Sequence, residues 1–430
     1  MKTTSSLDEL LGLRVYITNT PGSGGSIRET LEDFQVREVL IDGSILPDQH
    51  PVPRPGQWTW SIVRKRGIDT FTMIDRLSLR LKVPLGRISY AGLKDAKAVT
   101  VQAVSILGVR PQDLLGLRDD DLEVLDAFTM DEPCTSKSIY GNKFDIVIKG
   151  GNWDIIQETL EEIRERGLPN FFGYQRFGTR RPNTHIVGKK IIEGRFEEAI
   201  AEIAGSPRQE EPEAAKEARE LFDSGRLREA IDSYPSSYRA ERIVASYLLN
   251  HPGDFIGALR RLPLELLRLY VESYQSYLFN KSLSERIRRE LPINSAIEGD
   301  SVLLLDEKGL PTIHRMIVTS TIKDRINSLI ARNRAAVAGA LIGYKTNEAA
   351  LREWENDILH EEGVSPRSFK LKAIPEASAS GGWRILDAAP RIENIEFNPI
   401  KLSFLLRRGM YATILIRELI KPSNPINCGC

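Results

Sequence analysis

Hydrophobic and polar positions alternate in several short segments near both ends of the chain, which is the pattern of half-buried β-strands. This alternation predicts strands at 27–39, 99–104, 144–149, 400–406 and 411–416. Apolar residues spaced three or four positions apart predict helices at 70–82 and 266–289. Pro84 follows the first of these helices, and a proline commonly stands just beyond a helix end.

The order of these elements predicts an α+β protein in which one segment is inserted into a domain. Mixed strand and helix patterns occupy roughly the first 150 residues, and strand patterns return near 397. The region that begins near 196 is helical and acidic, with a small hairpin predicted at 302–309. We therefore predict one domain made of 1–195 and 376–430, interrupted by an inserted, largely helical domain at 196–375.

The composition is that of a globular protein rather than a disordered one. Hydrophobic residues make up 41% and charged residues 27% of the 430 positions, and this length predicts about two or three domains. Cys134, Cys428 and Cys430 cannot form a disulfide framework, which favours a reducing cytoplasm. The N-terminus lacks the apolar core of a signal peptide, and the run 335–343 is too short to cross a bilayer. We expect a soluble cytoplasmic protein.

The charges cancel in total but are unevenly distributed along the chain. The 59 basic residues balance 59 acidic ones. Basic residues outnumber acidic ones ten to three in 54–97, six to one in 170–195 and seven to four in 384–421. Such stretches allow a face that binds a polyanion, although runs of charge are more often solvated surface.

The sequence lacks most signatures of cofactor, metal and acyl-transfer chemistry. It contains no phosphate-binding P-loop, no dinucleotide-binding glycine motif and no Gly-x-Ser-x-Gly elbow. The five histidines are scattered, and no two have the spacing of a zinc site. We therefore expect no cofactor and no metal ion, which leaves carboxylate, amide, aromatic and basic side chains as the chemical groups.

Asp95 is the carboxylate with the most unusual neighbours. It lies in a polar loop between predicted strands, after Gly92 and between Lys94 and Lys97. Nearby cations favour the ionised form of a carboxylate, which suits a nucleophile or a base at neutral pH. The alternative is an aspartate that makes a local turn hydrogen bond, as aspartates in strand-linking loops often do.

Residues 170–178 (NFFGYQRFG) combine four aromatic rings, two amides and an arginine in nine positions. Aromatic faces stack on nucleobases with about 1–3 kcal/mol each, and amides recognise base edges. The alternative is a small aromatic core beneath a loop, which fits Phe171 or Phe177 better than all four rings. The segment therefore indicates either nucleic-acid recognition or local packing.

Several separated segments between about 27 and 421 resemble the TruD-type tRNA pseudouridine synthases. Residues 90–102 resemble the loop that carries the catalytic aspartate of that family, and 170–178 resemble its Asn-x-Phe-Gly-x-Gln-Arg-Phe-Gly signature. Further similar segments are Arg28 with 32–36, 274–280 in the inserted domain, and 409–413 with 417–419. Arg28 replaces the lysine usual in bacterial members, and the resemblance is to an archaeal-type member.

The resemblance implies a fold and a reaction. The fold is a pseudouridine synthase-like catalytic domain with a mixed or antiparallel sheet, and an inserted, largely helical α+β TRUD domain. The reaction is the isomerisation of uridine to pseudouridine in tRNA, typically at position 13 of the D arm, without a cofactor. The N1–C1′ bond breaks, the uracil turns, and the bond reforms through C5. The partner is tRNA, and nothing in the sequence requires a protein partner or more than a monomer.

The same resemblance implies roles for individual residues. Asp95 is the nucleophile, and Phe172 stacks on the uracil once the base has left its helix. Asn170 holds the uracil edge or positions Asp95. Phe34 either packs behind the N-terminal strand or contacts the RNA. Tyr411 is the aromatic residue of the C-terminal element.

The cation that pairs with Asp95 departs from the pattern of several other pseudouridine synthase families. Those families place an arginine two residues after the C-terminal aromatic residue, where this chain has Thr413. Arg417 follows Tyr411 by six positions, which is roughly 20 Å along an extended strand. We therefore expect Arg28 to be the partner, because an arginine stays ionised and binds carboxylates bidentately.

Two other functions remain open on the sequence. A catalytically silent RNA-binding protein would keep the aromatic and basic segments but not the reaction. A carboxylate-dependent hydrolase of nucleosides or glycosides would usually need two paired carboxylates, with Glu32 or Asp33 as the partner of Asp95. The loop of Asp95 contains no second acid, which argues against the hydrolase.

Overall fold

The computed structural model describes residues 1–3, 5–178, 181–209 and 211–429, so that Cys430 lies outside the described residues. The chain forms two compact units, each assembled from two separate stretches of sequence. We call Met1–Tyr16 with Pro169–Asp387 the helical unit. We call Ile17–Leu168 with Ala388–Cys430 the sheet unit.

Both units contain strands and helices. The strands are β1 (Phe34–Leu40), β2 (Trp58–Arg66), β3 (Ile88–Tyr90), β4 (Val99–Leu107), β5 (Leu122–Met130), β6 (Ile139–Ile148), β7 (Ser301–Leu305), β8 (Pro311–Ile317), β9 (Ala335–Leu341), β10 (Gly382–Ile385), β11 (Arg391–Glu396) and β12 (Ile400–Arg407). The helices are α1 (Ser6–Leu10), α2 (Thr70–Leu81), α3 (Pro111–Leu114), α4 (Trp153–Arg166), α5 (Thr184–Ile192), α6 (Phe196–Ala204), α7 (Glu213–Asp223), α8 (Leu227–Ser233), α9 (Arg239–Asn250), α10 (Phe255–Arg260), α11 (Leu264–Arg288), α12 (Lys323–Ala331), α13 (Glu353–Glu362) and α14 (Ala412–Ile420).

The sheet unit is built on one mixed sheet with the strand order β11-β12-β6-β1-β4-β2-β5, and β3 pairs with β4. Strands β1 and β4 run parallel, and the other pairs are antiparallel. On one face, Met73 of α2 packs with Val63 and Val104 in a buried cluster. Ile62 and Ala103 point to the other face, where they join a second buried cluster. Buried side chains therefore cover both faces of the sheet at β2 and β4.

Helix α2 has a side-chain cap at its N-terminus and a left-handed residue just after its C-terminus. The carboxylate of Asp69 accepts a hydrogen bond from the backbone N–H of Thr72 at 2.9 Å, which caps the first turn. Lys82 follows the last helical residue in a left-handed conformation with φ of 54°. The predicted helix at 70–82 is thus confirmed to within one residue.

The helical unit surrounds α11, which has 25 residues. Tyr274 and Leu278 of this helix lie in a large buried cluster with residues of α5, α6, α9 and α13. The unit also contains an antiparallel sheet with the strand order β10-β9-β7-β8. The predicted hairpin at 302–309 is the β7–β8 pair of this sheet, and the predicted α+β class is confirmed.

The prediction of a strand at 411–416 is wrong, because 412–416 belong to helix α14 and Tyr411 is the N-cap residue at its start. All nine residues of α14 are buried. A continuous apolar run suits a buried strand and a buried helix equally, and periodicity alone does not separate them. The expected separation of Tyr411 and Arg417 changes with it, since a helix rises only about 1.5 Å per residue.

The compact units divide the chain at other positions than the predicted domains do. The predicted boundaries at 195/196 and 375/376 both lie within the helical unit, whose second stretch is Pro169–Asp387. The N-terminal stretch Met1–Tyr16 also belongs to this unit rather than to the sheet unit. The segment 170–178, expected in the catalytic domain, is therefore part of the helical unit, while 1–195, 196–375 and 376–430 remain predicted domain ranges.

Among the described residues, no helix combines the length and the apolar character needed to cross a membrane. Cys134 and Cys428 are both buried.

Gly141 of β6 provides a test of the strand packing. A Cβ at this position would overlap the carbonyl oxygen of Leu406 in the neighbouring strand β12. We expect Gly141→Ala to lower the free energy of unfolding by about 1–3 kcal/mol, as measured by urea-induced unfolding. Gly86→Ala is the control, because a Cβ there meets no atom within 4 Å and should stabilise by about 0.4–1 kcal/mol. Equal effects of the two substitutions would contradict the β6–β12 packing.

Candidate active site

Asp95 lies in the loop that joins β3 to β4 within the sheet unit. The two strands pair antiparallel, and because Tyr90 pairs with Val104, the loop 91–98 runs from the middle of β4 to the start of that strand at Val99. The side chain of Asp95 is 33% exposed. A carboxylate in this position is accessible to a substrate.

Arg28 is the cation that pairs with Asp95, as the sequence predicted. Its Nη2 donates to Oδ2 of Asp95 at 2.6 Å, and its Nη1 donates to the carbonyl oxygen of Gly429 at 3.1 Å. The side chain of Arg28 is only 8% exposed, and its backbone has a φ of +61°. A non-glycine residue in this left-handed region stores about 1 kcal/mol or more of strain, which is typical of functional sites.

Phe34 supports this arginine from below. The Arg28 guanidinium lies 3.9 Å from the centre of the Phe34 ring, in a cation–π contact. Phe34 is 1% exposed and packs edge-on against Phe144 at 6.1 Å. Of the two roles expected for Phe34, its burial supports packing behind the N-terminal strand.

Lys94 anchors the loop rather than standing beside Asp95 as a second cation. Its Nζ pairs with Oε1 of Glu38 at 2.7 Å, and the Glu38 side chain is completely buried in β1. The other carboxylate oxygen of Glu38 accepts the backbone N–H of Ala103 at 2.8 Å. The backbone N–H of Lys94 donates to Oγ1 of Thr70 at 2.9 Å, which ties the loop to α2. Lys97 is exposed.

Lys65 is a site residue that the sequence analysis missed. It is completely buried in β2, and its Nζ donates to the carbonyl oxygens of Asp95 and Ile68, each at 2.7 Å. The available signal was its position in the strand, because Lys65 alternates with exposed Arg64 and Arg66 and shares the side of buried Val63. A lysine at an inward-facing strand position needs buried partners.

Asn170 has a closed set of hydrogen bonds within the helical unit. Its Nδ2 donates to the carbonyl oxygen of Ile385 at 2.9 Å, and its Oδ1 accepts from Nη2 of Arg384 at 2.6 Å. Nε of Arg384 also donates to the backbone carbonyl oxygen of Asn170 at 3.0 Å. Asn170 is 3% exposed. These bonds fix the amide in one orientation and join the segment 170–178 to β10.

Phe172 is nearly buried, and one of its faces carries a guanidinium group. Arg384 lies 4.1 Å from the ring centre, and the ring meets Phe279 edge-on at 5.7 Å. The backbone N–H of Phe172 donates to Oδ1 of Asn280 at 2.9 Å, which fixes the peptide on α11. Phe171 is 1% exposed and Phe177 is fully buried, so these two rings are core, as the packing alternative proposed.

Tyr411 belongs to the sheet unit and is partly exposed at the position before the first residue of α14. Thr413 and Arg417 are both buried in that helix. The structure thus brings Arg28, Phe34 and Asp95 into one cluster. Asn170 and Phe172 form a second cluster in the helical unit.

The two acids considered as partners of Asp95 have contacts elsewhere. Glu32 pairs with Arg66 at 2.5 Å. Asp33 accepts the backbone N–H of Thr30 at 2.7 Å and pairs with Lys149 at 3.0 Å. This arrangement does not support the paired carboxylates of a hydrolase. In the described part of the chain, no group of three or more His, Cys, Asp or Glu side chains is arranged to hold a metal ion.

Comparisons with known proteins agree over nearly the whole chain. The family model of tRNA pseudouridine synthase D (TruD) matches residues 10–419. A Methanosarcina mazei protein named as a probable tRNA pseudouridine synthase D is 36% identical, over 98% of this chain and 98% of that protein. A Pyrobaculum arsenaticum protein of the same name is 34% identical over 100% of both chains. The crystal structure of a Methanosarcina mazei protein named as TruD has a TM-score of 0.77 at 35% identity, covering 99% of this chain and 100% of that chain.

The buried pair of Lys94 and Glu38 gives a prediction for stability. Lys94→Met leaves the Glu38 carboxylate without its cation, and we expect a loss of about 3–5 kcal/mol in the free energy of unfolding. Adding Glu38→Gln should recover part of this loss, because a neutral amide needs no cation. Arg110→Met is the control, since Arg110 is 79% exposed in its pair with Asp113 and should contribute less than about 1 kcal/mol. A Lys94→Met protein as stable as the control would contradict the buried pair.

Proposed function

Because the chain belongs to the tRNA pseudouridine synthase D (TruD) family, we propose that Asp95 is the nucleophile with which it modifies uridine 13 in the D arm of tRNA. Isomerisation of uridine to pseudouridine in tRNA is the activity of this family, and the chain is an enzyme of that class. The observation that supports the nucleophile is the 2.6 Å ion pair between Asp95 and the buried Arg28. It combines a one-third exposed carboxylate with a cation that cannot move away easily.

The reaction needs a carboxylate more than any other group. The N1–C1′ bond breaks, C1′ bonds to C5 of the turned uracil, C5 loses its proton, and N1 gains one. A carboxylate can attack C1′, attack C6 or serve a glycal route. All three routes require Asp95 to touch the ribose or the base, and the partial exposure of its side chain supports this.

Arg28 serves this reaction by holding the carboxylate. Arginine stays protonated at all physiological pH values, and its planar group fits both a carboxylate and an aromatic face. The Phe34 ring below and the Gly429 carbonyl oxygen beside it restrict the guanidinium to one orientation. Fixed charges of this kind cost no reorganisation during the reaction.

The uracil would be bound by Phe172, Asn170 and Tyr411 once it has left the RNA stack, a step that costs a few kcal/mol. Stacking on Phe172 has to use the ring face opposite Arg384 or displace that guanidinium, which lies 4.1 Å from the ring centre. Asn170 would act through its fixed orientation, because its amide is already bonded at both ends. Of the two aromatic residues, Phe172 is buried and Tyr411 is partly exposed.

The partner that this proposal requires is tRNA. Every group assigned a role comes from this one chain, so that a monomer without a protein partner is sufficient. Sedimentation of the protein with and without tRNA checks this part of the proposal. A mass of two chains that is needed for activity would contradict it.

The first prediction concerns the reaction and its position. Unmodified tRNA transcripts incubated with the protein should contain pseudouridine at position 13, detected as a carbodiimide-dependent stop in sequencing. Asp95→Asn keeps the size of the side chain but removes its charge, so it should abolish the stop and leave RNA binding unchanged. A stop at another position would keep the nucleophile and refute position 13. Full activity of Asp95→Asn would refute the nucleophile.

The second prediction concerns Arg28. Arg28→Met removes both hydrogen bonds and the charge, and we expect the single-turnover rate to fall about 10²-fold or more, as for loss of a preorganised donor. Arg28→Lys keeps the charge but loses the planar contact with Phe34, and its rate should be intermediate. Arg37→Met is the control, because Arg37 pairs with Asp145 in the same sheet unit at 3.1 Å. Equal rates for Arg28→Met and Arg37→Met would contradict the role of the ion pair.

A further inference from the structure

Lys65 reaches the catalytic loop from beneath. Its side chain is completely buried, and its Nζ lies 2.7 Å from the carbonyl oxygen of Asp95, 2.7 Å from that of Ile68 and 3.4 Å from that of Lys94. Two of these three carbonyl groups belong to the peptide units of the loop residues Lys94 and Asp95. The lysine therefore bonds the backbone of the proposed nucleophile, while Arg28 bonds its side chain.

The three acceptors match the three donors of a protonated lysine. An ammonium group has three N–H donors and no acceptor, so each hydrogen can point at one carbonyl oxygen. A neutral amine has two donors and a lone pair, which would face the third carbonyl oxygen without a hydrogen bond. The arrangement is thus complete only while Lys65 carries its proton.

A purely structural role does not explain why a lysine occupies this buried position. Burying an ammonium group is unfavourable unless its hydrogen bonds are satisfied, and an apolar residue would fill the same space at less cost. Val63, two positions earlier in β2, shows that this side of the strand packs apolar side chains. The loop backbone that Lys65 bonds therefore explains why a lysine occupies this position.

We propose that Lys65 is a positioning residue of the reaction, which clamps the backbone of Asp95 so that the carboxylate meets the target uridine in one orientation. This inference rests on the proposed role of Asp95 as nucleophile. A misplacement of about 1 Å at a reacting group can cost about 10²-fold in rate. The loop 91–98 has four residues before Asp95 and three after it, and the hydrogen bond from Lys65 adds to the anchor at Lys94 in opposing such movement.

The surroundings of Lys65 predict a pH dependence. The pKa of Lys65 is lowered to about 8, because burial, together with the charge of Lys94, lowers it by more than the carboxylates of Asp95 and Asp69 raise it. Lys94 is itself paired with Glu38, and Asp95 with Arg28. Above about pH 8 the clamp loses its proton, and the reaction should slow.

The effect of the same group on stability has the opposite sign. An unfolded lysine has a pKa of about 10.4, so that between about pH 8 and 10.4 the unfolded chain holds a proton that the folded chain has lost. The contribution of Lys65 to the free energy of unfolding therefore rises with pH in this window. An alkaline loss of rate that comes from Lys65 is then separable from unfolding.

The experiment compares Lys65→Arg, Lys65→Met and the wild type by single-turnover kinetics on tRNA between pH 6 and 10. The wild-type rate should fall above about pH 8, and Lys65→Arg should not show this fall, because arginine keeps its proton. Any effect of pH on the ionisation of the RNA is the same for both proteins and therefore cancels in the comparison. Lys65→Met should lose about 10- to 100-fold in rate at pH 7 with little change in tRNA affinity.

Two controls make the outcome decisive. Gly141→Ala is destabilised in the same unit without touching the loop, and it should keep the wild-type rate below its unfolding temperature. Asp95→Asn, measured in parallel, tests the nucleophile itself. If Asp95→Asn is inactive while the wild type and Lys65→Arg have the same pH profile, the clamp is refuted and the nucleophile stands. If Asp95→Asn is active, both are refuted. A Lys65→Met protein that fails to fold leaves the comparison of the wild type with Lys65→Arg as the test.

Discussion

A nucleophilic carboxylate has to be exposed to its substrate and yet held in one place, and the surroundings of Asp95, the proposed nucleophile, fit this constraint. Its side chain is 33% exposed, so packing does not hold it. Charged groups hold it instead: Arg28 binds the carboxylate, Lys65 binds the backbone, and Lys94 ties the preceding residue to Glu38. Each of these side chains is buried or nearly so, where charge interactions are stronger than in water. The cost of burying them is offset by pairing, and the loop gains rigidity in return.

The sheet is what makes this arrangement available to a local loop. The parallel pair β1–β4 places Glu38 beside Ala103, and the antiparallel pair β2–β4 places Lys65 beside Thr100. Residues far apart in sequence thus converge beneath 91–98. The helical unit solves a similar problem differently, because Arg384 of β10 bonds Asn170 and covers Phe172. In both clusters a basic side chain from another element fixes the residue that resembles a family motif.

The elements that were predicted correctly are those with a local signal. Helix α2 has an amphipathic pattern and an aspartate cap, and β4, β6 and β12 each contain a stretch in which residue types alternate in the sequence, so that neighbouring residues contain the evidence. The pattern of α14 predicts a strand because every one of its residues is buried. A helix buried on all sides lacks the 3.6-residue hydrophobic periodicity that would distinguish it from a strand. The predicted domain boundaries differ from those of the compact units for a related reason. Helix α5 looks like any amphipathic segment, and only its packing on α11 assigns it to the helical unit.

The sequence by itself determined the family and the α+β class and singled out Asp95 as the candidate nucleophile, because motifs are contiguous stretches whose residues can be read directly. It also allowed Arg28 to be chosen as the partner of Asp95, although the strand spacing used against Arg417 proved wrong because Arg417 lies in a helix. Only the tertiary structure decided how these residues are held. Lys65, Glu38 and Arg384 belong to no motif segment, and their roles arise from partners between 3 and 214 positions away. Burial and charge pairing act through space, and a single sequence records neither the neighbours nor the distances on which they depend.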